Sequence, residues 1–198
     1  MSAGNRIPLQ EAVELAAEVS ARLTPLVARS KCVGSVRRRK SMVGDIEFVV
    51  EPIMNGDLFS DVATPILEPI RDLLHELGTW KKGGARMMQI TDLLGRPGLK
   101  LEINLVHPPA AWGSLVAIRT GPAELGTYVV TACRRFGFRH DSGYAQRLDT
   151  GERVPTDTEE QFFQLAEVPC VPPREREELA TRLWAGLNQG TRREVSRG

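Results

Sequence analysis

Cysteine is scarce in this 198-residue chain: Cys32, Cys133 and Cys170 are the only three, and they lie far apart. No CxxC pair occurs, which argues against a disulfide framework and a cysteine-based zinc site, and for a reducing setting. Histidine is equally scarce. His75, His107 and His140 are widely separated, so none is assigned to a metal. No stretch is apolar enough to span a bilayer. The apolar pattern near the N-terminus is interrupted by Glu11 and Glu14, unlike a signal peptide. Charge of one sign is lacking too. Lys and Arg number 26 against 25 Asp and Glu, a net charge of +1, so any attraction to phosphate must come from local clusters. Internal repeats and low-complexity blocks are missing. These absences lead to the expectation of a soluble, cytoplasmic, monomeric protein with no membrane partner.

With 41% hydrophobic residues, the chain can build one ordinary core or two small lobes. Apolar positions at Leu9, Val13, Ala16, Val19 and Leu23 suit an amphipathic helix over 9–24, bracketed by Pro8 and Pro25. A short run from Cys32 ends in Gly34-Ser35, and Arg37 to Lys40 form a basic turn. Residues 45–50 alternate as a strand. Residues 61–77 read as mostly helical, from an Asp61 cap to a stop at Gly78, with Pro69 to Leu77 the firmer part. Residues 87–94 and 99–106 read as two strands joined by a Gly-Arg-Pro-Gly turn and ended by His107-Pro108-Pro109. Further helices are expected over 112–118, 124–136, 159–166 and 174–187, with a turn-rich hairpin over 138–155. The expected class is α+β: a mixed or antiparallel sheet with helices on one face. Two units are expected, 1–120 and a smaller one over 121–198, ending in a frayed tail that carries Arg192, Arg193 and Arg197.

Asp45 and Glu47 stand two apart on a predicted strand, so both project from one face while Ile46 and Phe48 point into a core. Two neighbouring carboxylates repel one another, which raises a pKa unless something positive intervenes. Hard oxygen donors of this kind suit Mg²⁺, which usually also takes oxygens from a substrate phosphate. Glu102, in Lys100-Leu101-Glu102-Ile103, sits on another alternating strand. If the two strands pair, all three acids share a face and could hold two metal ions. The bland reading is a solvent-facing side of a half-exposed sheet. The flanks favour chemistry: the Gly34-Ser35 turn offers backbone N–H groups and a hydroxyl to phosphate, Arg37 to Arg39 add guanidinium groups, and Gly44 leads into Asp45.

Gly34-Ser35-Val36-Arg37-Arg38 followed by Gly44-Asp45-Ile46-Glu47 resembles the signature of polymerase-beta-like nucleotidyltransferases, and more narrowly of the family X DNA polymerases. Lys100-Leu101-Glu102 resembles the strand with the third metal ligand, and Trp112 followed by Thr120-Gly121 resembles the end of the palm. Gly137-Phe138 and the Pro-Pro-Arg-Glu-Arg-Glu run resemble the C-terminal, thumb-like subdomain. The resemblance implies attack of a 3′-hydroxyl on the α-phosphorus of a nucleoside triphosphate, with pyrophosphate leaving. It implies Asp45, Glu47 and Glu102 as ligands of two Mg²⁺ ions. Gly34, Ser35, Arg38 and Gly44 would serve the phosphates, and Thr120 and Gly121 the sugar and base. Lys100 and Arg119 would contact nucleic acid. The implied partners are a nucleoside triphosphate, a DNA primer-template or gapped DNA in repair, and a recruiting protein.

Three departures qualify the expectation. The family usually has Asp where Glu47 and Glu102 stand, so ligand geometry differs and Mn²⁺ becomes a candidate. An aromatic pair often precedes Thr-Gly, and here Ile118 and Arg119 do. Few residues precede the palm-like segment, which argues against deoxyribose-phosphate removal and for low processivity. Two alternatives therefore stand: a template-independent nucleotidyltransferase or one acting on RNA or another substrate, and a non-catalytic nucleotide- or nucleic-acid-binding module. Lys81, Lys82 and Arg86 could contact template or triphosphate, and Arg134, Arg135 and Arg139 a backbone, but a solvated surface explains each as well. Trp80 and Trp112 are better read as core than as stacking platforms.

Overall fold

The computed structural model describes residues 6–55, 64–106, 110–141 and 143–195, with side chains to residue 186. Strand β1 (Ile7–Pro8) leads into helix α1 (Leu9–Leu23), then come β2 (Val27–Cys32), the single-turn α2 (Gly34–Arg37), β3 (Met42–Val43) and β4 (Asp45–Pro52). Short strands β5 (Met54–Asn55) and β6 (Thr64–Pro65) precede α3 (Glu68–Leu77), β7 (Thr79–Gly83), β8 (Met87–Thr91) and β9 (Lys100–Leu105). Helices α4 (Trp112–Thr120) and α5 (Ala123–Ala132) follow, then β10 (Phe138–Asp141), β11 (Tyr144–Arg147), β12 (Arg153–Val154), α6 (Glu159–Gln164) and α7 (Arg176–Val195).

The class is α+β, as expected. The central sheet is mixed, in the order β2-β4-β9-β8-β7. β4 and β9 run parallel, and every other pair in it is antiparallel. Alternation assigns the faces. Ile46, Phe48 and Val50 of β4 and Leu101, Ile103 and Leu105 of β9 enter a core shared with α1 and α3. Both helices bury one stripe, Ala12, Leu15, Ala16, Val19 and Leu23 in α1, and Ile70, Leu73, Leu74 and Leu77 in α3. That 3-4 spacing is what an amphipathic helix needs to cover a sheet.

Helices are not confined to one face, however. Val49, two residues beyond Glu47, packs on the opposite side with Val33, Val106 and Val116 of α4. The carboxylate face is thus capped by α4 at one end and left open at the other. A further core joins Ala117 of α4 to α5, α6, α7 and the small sheet β10-β11-β12.

Two local expectations change. The helix over 61–77 begins only at Glu68, and Thr64–Pro65 pair with Met54–Asn55 instead. Proline at 65 and 69 limits how far N-terminally helical hydrogen bonding can extend. The Asp61 cap and the His107-Pro108-Pro109 stop lie outside the described residues. The segment carrying Lys81 and Lys82, read as a solvated surface, is an edge strand, β7, pairing with β8.

Candidate active site

The parallel register of β4 and β9 sets Asp45 against Lys100 and Glu47 directly against Glu102. With residues i and i+2 on one side, Asp45, Glu47 and Glu102 share a face, bounded by α4 and by the turn leading into α2. Gln89 of β8, opposite Glu102 in the antiparallel register, donates through Nε2 to Glu102 Oε2 at 3.1 Å. Arg119 Nη1 lies 3.3 Å from Glu102 Oε1.

Gly34 closes the other side. Its φ is +63°, and an added Cβ would overlap the Glu47 carboxylate, with Cδ only 2.9 Å away. Glycine is needed both for the left-handed backbone and for that approach. The Ser35 hydroxyl is buried without a hydrogen-bond partner among the described residues.

Arg38 donates through Nη1 to the Thr120 carbonyl and through Nε to Glu177 at 3.4 Å. Arg37 Nη1 donates to Thr120 Oγ1 at 2.5 Å, and its guanidinium grips Glu159 in two hydrogen bonds of 2.8 and 2.5 Å. Glu159 is held at the first turn of α6 by a reciprocal cap between Thr158 and Gln161. Its carboxylate also receives Arg176 Nη2 at 2.8 Å, and Arg176 is only 1% exposed. Lys40 pairs with Glu177. The basic segment of the signature is therefore tied by ion pairs to the C-terminal helices.

A cavity of about 490 Å³ opens beside Glu47, between α4 and α5. Arg38, Arg119, Gly121, Thr127 and Thr131 supply its polar wall, and Ile118, Gly126 and Val130 an apolar one. Gly121 has φ +71°, with Arg38 Nη1 2.9 Å from where a Cβ would stand.

Burial and the Glu102 charge raise the Asp45 carboxyl above its ordinary range, against the pull of Lys100 and Arg38. Burial, then Asp45 and Glu102, push Glu47 up to about 7, while Arg119 and Arg38 oppose the rise. This is the signature of carboxylates held together without full compensation. Burial disfavours the charged form of Glu159 too, but the Arg37 hydrogen bonds and the Arg176 and Arg37 charges outweigh it and hold its carboxyl low.

The donor set of three carboxylates fits a hard divalent cation, Mg²⁺ or Mn²⁺. Among the described residues, no group of three or more His, Cys, Asp or Glu side chains yet converges tightly enough to grasp one. Glu102 is drawn toward Gln89 and Arg119, and Glu47 toward Gly34.

Of the other sequence-derived candidates, Arg38 and Gly121 line the cavity beside Glu47, and Gly34 abuts Glu47 itself. Lys100 is exposed next to Asp45. Arg119 reaches Glu102. Thr120 is buried, its hydroxyl taken by Arg37. Gly44 is not among the cavity-lining residues, and a Cβ there would lie 3.9 Å from Arg6 Cγ. Gln89, Glu159, Glu177, Thr127 and Thr131 were not singled out from sequence. Gln89 carried a signal, as a polar position inside the apolar run Met87 to Ile90, and Glu177 closes the Pro-Pro-Arg-Glu-Arg-Glu run. No protein-family model matches the chain, and no curated protein matches it.

Proposed function

We propose that this protein is a metal-dependent nucleotidyltransferase that joins the nucleotidyl group of a nucleoside triphosphate to a 3′-hydroxyl, in DNA synthesis over short gaps or at ends. One observation carries the reading. The register pairs Glu47 with Glu102, aligns Asp45 on the same face, and opens that face onto a cavity walled by Arg38, Arg119 and Gly121.

In this reading the cavity takes the base and sugar between the apolar wall of Ile118 and Val130 and the hydroxyls of Thr127 and Thr131. Arg38 offers its guanidinium to the β- and γ-phosphates. Gly34 keeps the approach to Glu47 free of a side chain. The acceptor oxygen attacks the α-phosphorus, and the bond to the pyrophosphate oxygen breaks as the new bond forms. Asp45, Glu47 and Glu102 would hold the divalent ions, whose charge, when bound, neutralises the phosphates and favours ionisation of the attacking hydroxyl. The 1–120 and 121–198 segments would act as palm and thumb-like unit, joined through Arg37–Glu159 and Arg38–Glu177.

A second reading keeps the chemistry and changes the acceptor. Ile118 and Arg119 at the cavity wall, in place of an aromatic pair, favour untemplated addition or an RNA end. A third, a non-catalytic binding module, draws on the incomplete convergence of the three acids.

One assay separates them: a labelled primer-template and a matched single strand, each dNTP or rNTP, with Mg²⁺ or Mn²⁺. Templated extension supports the first reading, and untemplated or RNA-only addition the second. Nucleotide binding with no incorporation supports the third. Asp45→Ala is expected to abolish incorporation while the fold persists, because removing one charge from a repelling set relieves it. Full activity in Asp45→Ala would overturn the site.

A further inference from the structure

Arg119 stands between two cavities. It lines the one beside Glu47 and also a smaller one of about 180 Å³, shared with Arg86, Asn104 and Leu115. Its Nη1 is ion-paired with Glu102. Its Nε is buried and has no hydrogen-bond partner among the described residues.

Asn104 lies two residues beyond Glu102 on β9 and is 1% exposed. Its Nδ2 reaches the Phe48 carbonyl at 3.4 Å, and its Oδ1 has no partner among the described residues. Buried amide oxygens are seldom left without a donor, so an orphan of this kind asks for an explanation. The small cavity thus carries an unsatisfied acceptor on one residue and an unsatisfied donor on another.

A guanidinium and a divalent cation on one carboxylate repel each other, since like charges a few ångströms apart interact strongly in a partly buried setting. A cation arriving at Glu102 weakens its pairing with Arg119, and a guanidinium that leaves needs an acceptor that brings no second positive charge. Asn104 Oδ1 is such an acceptor.

We propose that Arg119 is a positioning residue with two seats: on Glu102 while the carboxylate face holds no cation, and on Asn104 Oδ1 in the small cavity once a divalent cation takes Glu102. Arg119 is then a built-in counter-ion that offsets part of the charge of the acidic face, at Glu102, between turnovers and yields it on metal binding. The inference rests on reading Asp45, Glu47 and Glu102 as a cation platform. The competing explanation for the two orphan atoms is an ordered water between them. That water would leave metal affinity indifferent to Asn104.

The test is Mn²⁺ titration of the full chain, without nucleotide, followed by the electron paramagnetic resonance of free Mn²⁺. Arg119→Ala is expected to tighten binding about two- to fivefold, the range set by a half-exposed ion pair. Arg119→Lys should remain near the wild type. Asn104→Asp should tighten binding by drawing Arg119 away, and Asn104→Leu should weaken it. A second readout is the Arg119 Nε–H resonance in ¹⁵N NMR, assigned by its loss in Arg119→Lys. It should move on addition of Mg²⁺ in the wild type and stay fixed in Asn104→Leu. Should Asn104→Leu fold poorly, Asn104→Asp and the wild-type resonance decide. Unchanged or weaker Mn²⁺ affinity in Arg119→Ala, with the wild type binding normally, overturns the two-seat proposal alone. A wild type that binds no Mn²⁺ overturns the metal platform and this inference with it.

Discussion

Glu47→Gln offers the sharpest check on the electrostatics of the acidic face. Glu47 is pushed from 4.5 to about 7 by burial and by the Asp45 and Glu102 charges. A carboxyl whose folded pKa is raised stabilises the fold fully below its unfolded pKa, and that contribution is lost as pH rises through the folded value. The window here is pH 4.5 to about 7. At 1.36 kcal/mol per tenfold in proton affinity, the loss is at most about 3 kcal/mol. Glutamine keeps the shape and removes the titration, so the variant should gain on the wild type across that window. In metal-free buffer with a chelator, urea unfolding of both proteins from pH 4 to pH 8.5 reads the difference. The curves should run parallel at pH 4, with Gln ahead by about 1–3 kcal/mol at pH 8, or roughly 2–12 °C in melting temperature for a chain of this size. Incorporation should be lost, since the amide is a poor cation ligand. A stability difference that does not change with pH would refute the claim that Glu47 carries an uncompensated charge when ionised.

Three further outcomes follow from the same geometry. Gly34→Ala forces a left-handed backbone on alanine and drives the Glu47 carboxylate aside, so it should cost about 1–2 kcal/mol in unfolding experiments while reducing incorporation far more than that loss explains. Glu159→Ala leaves Arg37 and the buried Arg176 without their shared partner, and chemical denaturation should report a loss of about 3–5 kcal/mol. Because Glu159 is held below its ordinary pKa, its contribution is present above pH 4.5 and lost as pH falls through the lower, folded value, which the acid limb of a stability profile would show.

Much of the site was legible because β4 and β9 write their faces in alternation: apolar at 46, 48 and 50 and at 101, 103 and 105, acidic at 45, 47 and 102. The parallel sense of the pair was not legible. It depends on the crossover of 47 residues between them, α3 and the β7-β8 hairpin included, and alternation is blind to strand direction. β7 was not legible as a strand because Lys81, Lys82 and Gly83 follow Trp80, the one residue of the four packed against the core. That polarity is what an edge strand uses to discourage further pairing. Arg37 was grouped with its basic neighbours as a phosphate contact. Its two hydrogen bonds to Glu159, 122 residues away, leave no local trace in composition or spacing.

The pairing of Glu47 with Glu102 has a consequence for how the protein becomes competent. Neither strand alone presents the full acidic set, and 54 residues of chain separate the two acids. Bringing them side by side requires a long loop to close, a step that non-local contacts make slow and that local propensity does little to assist. A nascent chain that has emitted Asp45 and Glu47 but not β9 holds two acids with nothing to complete them. The proposed cation platform would come into being only when the central sheet zips, which would make metal affinity itself a reporter of finished folding.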